Sequence, residues 1–322
     1  MKILFTSAGR RVELVQAFKS AAERLKTDIK IYGADISETA PALYFCDESV
    51  IVSRIREPGY IPGLLRVCEK EKIDCLIPTI DTDLIILAEN REHFESIGTE
   101  VLISDIDKIR ICRDKRHTAD YFSKLGLNTP SYSDDVDKYD AGFPAFIKPR
   151  DGSSSIDTYK VESRSELESL ALRVPNYIIQ PFISGREYTV DIFCDLSGNP
   201  IYITPRERLA TRSGEVLKTR ICQDDVMIDE MKLLVEDFKP RGQITVQLIH
   251  DEKSGKKYYL EINPRFGGGA PLSMKAGADS AAALIRILSG EKLKYVDYAA
   301  KDGAVYSRFD QSVCVDEGVK KK

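Results

Sequence analysis

Over its first third the chain alternates short apolar runs with stretches of helical spacing, and that alternation restricts what it can fold into. Lys2–Thr6 is a continuous apolar run ending in Ser7-Ala8-Gly9. Val12–Leu25 follows with apolar residues at 14, 15, 18, 21, 22 and 25, the spacing of a helix packed on one side. Residues 29–33 read as a second strand closed by Ala34-Asp35, 49–52 as a third, and 61–71 as a second helix. Cys75–Pro78 is a fourth strand, 84–95 a helix and 101–103 a further strand. Strands separated by helices of this length build βαβ units, hence a parallel sheet covered on both faces. The turn Ser7-Ala8-Gly9-Arg10-Arg11 has Gly9 alone and lacks the G-x-G-x-x-G fingerprint. Gly9 and Asp35 therefore read first as parts of an ordinary strand-to-helix turn, and only second as a nicotinamide site.

The character changes after this Rossmann-like unit, residues 1–112. Asp114 is suited to cap a helix over 115–125, stopped by Gly126 with Pro130 just beyond. Residues 131–142 are polar and read as a boundary. From there β-type runs dominate, at 145–148, 177–182, 188–194, 201–204, 243–250 and 258–263, with helices at 164–172, 224–238 and Ser280–Leu288. The spacing predicts an α+β, mostly antiparallel body, and residues 317–322 are charged and expected to fray.

Composition excludes several classes. The 322 residues carry 47 Lys and Arg against 51 Asp and Glu, a net charge of −4, without the field of a nucleic-acid binder. Hydrophobic residues at 43% and charged residues at 30% are ordinary globular usage. No apolar stretch approaches the roughly 20 residues that span a bilayer, and the N-terminal apolar run is too short for a signal-peptide core. Seven Cys, none spaced C-x-x-C, read as free thiols of a reducing cytoplasm. The three His, at 93, 117 and 250, have no zinc spacing.

The strongest local feature is the run 243–250, a polar connection with Gly255, and the run 258–265 ending Glu261-Ile-Asn-Pro-Arg265. A hairpin centred near Ser254 puts Gln247 opposite Glu261, and Asn263 shares the face of Glu261. One carboxylate and two amide oxygens converging there suit a hard cation such as Mg²⁺, or equally a solvated hairpin face. Pro264 and Arg265 lead into Gly267-Gly268-Gly269, where an arginine fork and bare backbone can approach a phosphate or carboxylate. Lys148 ends an apolar strand before Gly152-Ser153-Ser154-Ser155, a small loop able to fold over phosphates or merely to turn. Gln180, Phe182 and Ile183 precede a turn at Ser184-Gly185, and Glu187 opens the next strand, where an edge-strand charge is the ordinary reading.

Taken in order, these elements resemble the ATP-grasp superfamily of carboxylate–amine ligases, nearest to one synthetase half of the carbamoyl phosphate synthetase large subunit. The resemblance covers roughly residues 1–300, and it implies a Rossmann-like pre-ATP-grasp domain before a two-lobed ATP-grasp fold. The expected divisions are 1–112, a small lobe at 113–183, a large lobe with the metal site at 184–300, and a C-terminal strand and tail at 301–322. It further implies ATP and Mg²⁺ (or Mn²⁺) as cofactors, with Gln247, Glu261 and Asn263 as metal ligands. Lys115, Lys148 and the lid Gly152–Ser155 would contact nucleotide phosphates. Gln180, Phe182 and Ile183 would lie beside adenine, and Glu187 on the ribose. Arg265 and Lys148 would be catalytic. Arg212, Arg265, Gly267, Gly268 and Lys275 would border the substrate. The implied reaction activates a small carboxylate as an acyl phosphate for attack by an amine, releasing ADP and phosphate. A nucleotide-binding regulatory subunit without ligase activity is the alternative. Expected partners are the small acid and amine, with neither nucleic acid nor membrane, and a homodimer as the commonest assembly. The length suits one such module and is too short for two.

Overall fold

The computed structural model describes residues 1–152 and 156–316. The first unit contains β1 (Lys2–Thr6), α1 (Val12–Leu25), β2 (Lys30–Asp35), β3 (Glu48–Ile51), α2 (Tyr60–Glu71) and β4 (Cys75–Pro78). It continues with α3 (Leu84–Glu89), α4 (Arg91–Ser96) and β5 (Glu100–Val101). The strands form a parallel sheet in the order β3-β2-β1-β4-β5. The middle of its central strand is apolar because both faces are covered: Ile3 and Phe5 pack with Val15 and Phe18 of α1, and Leu4 packs with Leu64 of α2 on the opposite face. Strand order reverses between β1 and β4, so a crevice opens at their carboxyl ends, the place where such sheets accept ligands. Asp35 is used internally there, accepting from the Gly9 and Ser37 N–H groups at 2.8 and 3.0 Å.

One expected helix differs. Residues 84–95 form two short helices, broken at Asn90, whose side chain donates to the Ile86 carbonyl at 2.8 Å. That local hydrogen bond competes with the helical ladder, a habit of Asn.

Next come α5 (Ile106–Arg113) and α6 (Lys115–Lys124), separated at Asp114, whose carboxylate accepts from the Arg116 N–H at 2.9 Å as a cap. A three-stranded antiparallel sheet follows from β6 (Ala145–Pro149), β7 (Tyr159–Val161) and β8 (Tyr177–Pro181), in the order β7-β6-β8, covered by α7 (Arg164–Ala171). The rest is a six-stranded sheet with β9 (Arg186–Cys194), β10 (Pro200–Arg212), β11 (Glu215–Ile221), α8 (Asp225–Phe238), β12 (Gly242–His250) and β13 (Lys257–Asn263). Helices α9 (Ala270–Ala276) and α10 (Ser280–Leu288) and strand β14 (Val305–Ser307) complete it, the sheet order being β13-β12-β9-β10-β11-β14.

The six-stranded sheet is amphipathic by its pleat. Val190, Ile192, Ile244, Val246 and Ile262 face α8 and α6, where Phe122 meets Tyr259 at 5.4 Å between ring centres. Thus α6, grouped by sequence with the small lobe, packs on the large sheet. The opposite face carries the alternate residues, Thr189 and Asp191 of β9 and Thr245 and Gln247 of β12. The expected pairing of Gln247 with Glu261 holds, with Thr245 facing Asn263; a bulge between Gln247 and Leu248 shifts the register by one toward the turn. The β10–β11 hairpin is far longer than the run at 201–204 suggested, because the consecutive charges Arg206-Glu207-Arg208 interrupt the apolar pattern within β10.

Helices α9 and α10 return to the first unit. Ala270, Met274, Leu284 and Ile285 share a core with Val15 and Phe18, and Phe18 stands edge-on between Phe5 and Phe266 at 5.2 and 5.8 Å. Among the described residues no helix is long and apolar enough to cross a membrane. Because Phe18 joins the two units, Phe18→Ala should cost about 3–5 kcal/mol of unfolding free energy in urea titration. A loss below about 1 kcal/mol would contradict a shared core at this point.

Candidate functional site

The polar face of the six-stranded sheet, the three-stranded sheet and the β1/β4 crevice enclose a cavity of about 430 Å³. At one end Phe182 and Ile183 from the strand-to-turn segment, with Phe146 and Ile249, give an apolar slot. Gln180 lines it, only 5% exposed, its amide donating to the Pro130 carbonyl at 3.4 Å. An apolar slot with a buried amide at its side suits a flat heterocycle. Glu187 sits at the mouth, 3.2 Å from Arg208 Nε.

Two lysines hold the middle. Lys148, at the end of β6, is 8% exposed and packs over the Phe146 ring at 5.7 Å. No carboxylate among the described residues lies within ion-pair distance of it. Burial, aided by the neighbouring charge of Lys115, lowers its ammonium to about 8. Lys115, at the start of α6, donates to the Gly152 carbonyl at 2.6 Å and is lowered by burial as well. Two desolvated ammonium groups side by side call for an anion between them. Ser153, Ser154 and Ser155 lie outside the described residues, as do 317–322.

Opposite the lysines stands the β12–β13 hairpin. Gln247 and Glu261 are directly paired, and the Asn263 amide donates to Glu261 Oε1 at 3.0 Å, so the three groups share one face. Among the described residues no cluster of three His, Cys, Asp or Glu could hold a metal. With a single carboxylate and amide oxygens, this face suits a hard divalent cation that takes its remaining ligands from water and from the oxygens of a bound anion. The residues fit that group, and they fit it best when a polyphosphate is present.

The far end is built from arginines. Arg265 follows β13 and reaches the first unit, its Nη2 lying 2.6 Å from Asp81 Oδ2 and its Nη1 donating to the Phe266 carbonyl at 3.2 Å. Arg206 is 2% exposed and donates through Nε to Asp191 at 2.8 Å; Asp191 also accepts from Ser273 and Thr245 at 2.7 and 3.2 Å. Arg206 Nη1 and Arg265 Nε are buried without a hydrogen-bond partner among the described residues. Such orphaned charged donors beside a cavity fit a bound anion. Gly269 permits this packing: a Cβ there would lie 2.6 Å from Arg206 Nη2.

Of the residues singled out in the sequence, Lys115, Lys148, Gly152, Gln180, Phe182, Ile183 and Glu187 all line this cavity. So do Gln247, Glu261, Asn263, Arg265, Gly267 and Gly268. Arg212 and Lys275 are not among its lining residues: Arg212 pairs with Asp310 at 2.9 Å and Lys275 with Glu13 at 2.6 Å, both basic side chains half exposed. Arg11, Asp81, Arg206 and Arg208 line the cavity without having been read from sequence. A signal existed for two of them, since Arg206 and Arg208 stand two apart on a strand and so share a face. Asp81 follows β4 and Arg11 precedes α1, and only the parallel sheet brings them together.

The lowered Lys148 ammonium yields a prediction. An anion bound against it favours the charged form, which is populated below about pH 8 and lost above it. Inorganic triphosphate should therefore bind about tenfold more weakly at pH 9 than at pH 7 by calorimetry, and Lys148→Met should weaken binding at pH 7 and flatten that dependence. A variant with the wild-type pH profile would exclude Lys148 as an anion contact.

Two family models match the chain: the PylC-like, N-terminal domain over residues 3–102 and the ATP-grasp domain over residues 112–269. Among relatives, the carbamoyl phosphate synthase large chain of Clostridium perfringens (strain SM101 / Type A) is 26% identical over 245 residues, 69% of this chain and 21% of its own length. The 3-methyl-D-ornithine–L-lysine ligase of Methanosarcina barkeri is 24% identical over 181 residues, 56% of this chain and 46% of its own length. The chain thus spans about a fifth of that carbamoyl phosphate synthase large chain. Among solved structures, the biotin carboxylase domain dimer of Hydrogenobacter thermophilus 2-oxoglutarate carboxylase, in complex with MgADP, ADP and bicarbonate, superposes with a TM-score of 0.73. It shares 19% identity and covers 94% of this chain and 73% of that one. The N5-carboxyaminoimidazole synthetase of Staphylococcus aureus complexed with ADP gives a TM-score of 0.72 at 16% identity, over 91% of this chain and 78% of that one.

Proposed function

Because this chain joins a PylC-like N-terminal domain to an ATP-grasp domain, we propose that it is an ATP- and Mg²⁺-dependent ligase that activates a small carboxylate as an acyl phosphate and couples it to an amine. The observation that carries this reading is the arrangement around one cavity of Lys148, the Gln247–Glu261–Asn263 face and the orphaned donor of Arg265.

The adenine ring occupies the slot beside Gln180, Phe182 and Ile183, with Glu187 toward the ribose. Lys115 and Lys148 hold the phosphate oxygens. Gln247, Glu261 and Asn263 would hold a magnesium ion, which when bound would supply neutralisation of the charge that moves during transfer. Lys148 and Arg265 then act from opposite sides, Lys148 on the transferred phosphoryl group and Arg265 on the substrate carboxylate. A carboxylate oxygen attacks the γ-phosphorus and ADP leaves. The amine nitrogen next attacks the acyl carbon, losing a proton, and inorganic phosphate departs as the carbon–nitrogen bond forms. Little covalent chemistry falls to the protein, whose part is alignment, charge neutralisation and exclusion of water. Gly267 and Gly268 border the acceptor side.

The seven cysteines, all free thiols here, agree with a reducing cytoplasm, and a homodimer, the state of the 2-oxoglutarate carboxylase domain named above, is part of the proposal.

The decisive experiment is ADP release from Mg-ATP across a panel of small carboxylic acids, with and without amines. Stimulation by at least one acid–amine pair is the expected result; a chain that binds ATP and releases no ADP with any pair would be a nucleotide-binding module instead. In the stimulated reaction Glu261→Ala should lower ADP formation by more than about 100-fold, since it removes the single carboxylate of the metal face. Turnover within a few-fold of wild type would exclude that face as the metal site.

A further inference from the structure

The acyl-transfer centre gives no role to Arg11, a largely buried cation that lines the cavity. Arg11 stands just before α1 at the β1/β4 crevice, its side chain 18% exposed. Its Nη2 donates to the Thr79 carbonyl at 3.2 Å, while Nη1 lies 3.6 Å from Glu215 Oε1, too far for a hydrogen bond. Glu215 is half exposed and shared, its other oxygen 3.4 Å from Arg308 Nη1. Asp81, the other carboxylate acting on Arg11, is held by Arg265 at 2.6 Å, and Glu13 is engaged by Lys275 and Arg308 at 2.6 and 3.2 Å. Burial and then the like charge of Arg265 lower the Arg11 guanidinium to about 10. Arg265 is paired with Asp81 and assigned above to the reacting carboxylate. A second anionic group is therefore wanted at Arg11 itself. The wall beside it is bare backbone: a Cβ on Gly268 would lie 2.8 Å from Arg11 Nη1 and 3.4 Å from Glu215 Oε1. A guanidinium and a half-exposed carboxylate thus stand 3.6 Å apart over a glycine floor that lines the cavity.

We propose that Arg11 and Glu215 form a zwitterion clamp that takes an α-amino acid as the amine substrate, its carboxylate on Arg11 and its ammonium beside Glu215. The inference rests on the ligase reading and deepens it by assigning the acceptor's class. An α-amino acid carries its two charges one carbon apart, which matches a guanidinium and a carboxylate this close. A simple amine would leave Arg11 with only the long ion pair to Glu215, which Arg308 shares, and ammonia would bring no anion and would not fill the space. Because the clamped carboxylate lies on Arg11 rather than Arg265, it is not the one activated; the ammonium passes one proton to the Glu215 carboxylate, and the freed nitrogen lone pair is left toward the acyl centre.

Calorimetry on the full chain, with and without Mg²⁺ and a non-hydrolysable ATP analogue, tests this with matched pairs: glycine against methylamine, alanine against ethylamine, lysine against cadaverine. At least one amino acid should bind roughly tenfold or more tightly than its decarboxylated partner, as expected for a charge-assisted bidentate contact. Arg11→Gln should abolish that preference and Arg11→Lys should restore part of it. Glu215→Gln should weaken the amino acid while leaving its preference over the amine in the same direction. Equal affinity within every pair in the wild-type chain, which involves no variant and so no question of folding, overturns the clamp. Wild-type preference retained in Arg11→Gln overturns it too. If the nucleotide analogue itself fails to bind, the ligase reading falls and the clamp falls with it as an acceptor site; if the nucleotide binds and no amino acid is preferred, the clamp alone falls.

Discussion

The register of one hairpin couples the core of this protein to its site. With Gln247 opposite Glu261, the alternate residues Val246 and Ile262 enter the apolar layer under α8, and Glu261 and Asn263 emerge on the cavity side. A slip of one residue would exchange the two sets, burying a carboxylate among aliphatic side chains and exposing the core to water. Hydrophobic burial thereby enforces the arrangement of the polar face, although none of its members contributes to the core. The bulge at Gln247 and Leu248 lies on the turn side of these residues, where the displaced pairing leaves the polar face untouched.

Across the cavity the balance is electrostatic. Lys148 sits with its charge desolvated, and Arg206 and Arg265 each keep a buried donor without a partner among the described residues. Asp81 and Asp191 offset part of this positive charge, and the remainder is left for an anionic ligand. Because Asp81 belongs to the parallel-sheet unit and Arg265 to the six-stranded one, their ion pair also fixes the first unit against the site. The shared core around Phe18 does the same with apolar contacts. The leading unit is consequently a wall of the cavity as well as a neighbour of it.

Local pattern carried much of this into the sequence. The βαβ alternation, the Asp114 cap and the pairing of Gln247 with Glu261 depend on residues close in the chain, whose periodicity and turn chemistry are visible without a partner. Helix α6 was legible as a helix, yet its place on the large sheet was not, since Tyr121 and Phe122 give only the side that is buried and not what buries it. The β10–β11 hairpin was legible only at 201–204, because the consecutive charges Arg206-Glu207-Arg208 break the alternation that marks a half-buried strand.

The sequence by itself determined the kinds of layer and the polar face of one hairpin, and it singled out Lys148, Glu261, Asn263 and Arg265, which all line the cavity. Tertiary structure alone decided that Arg11 and Asp81 join them, and that Arg212 and Lys275 spend their charges on Asp310 and Glu13 instead. The physical reason is range: backbone pleat and helical period act between neighbours in the chain, whereas ion pairing and desolvation act between whichever groups the packing of separate sheets brings within a few ångströms.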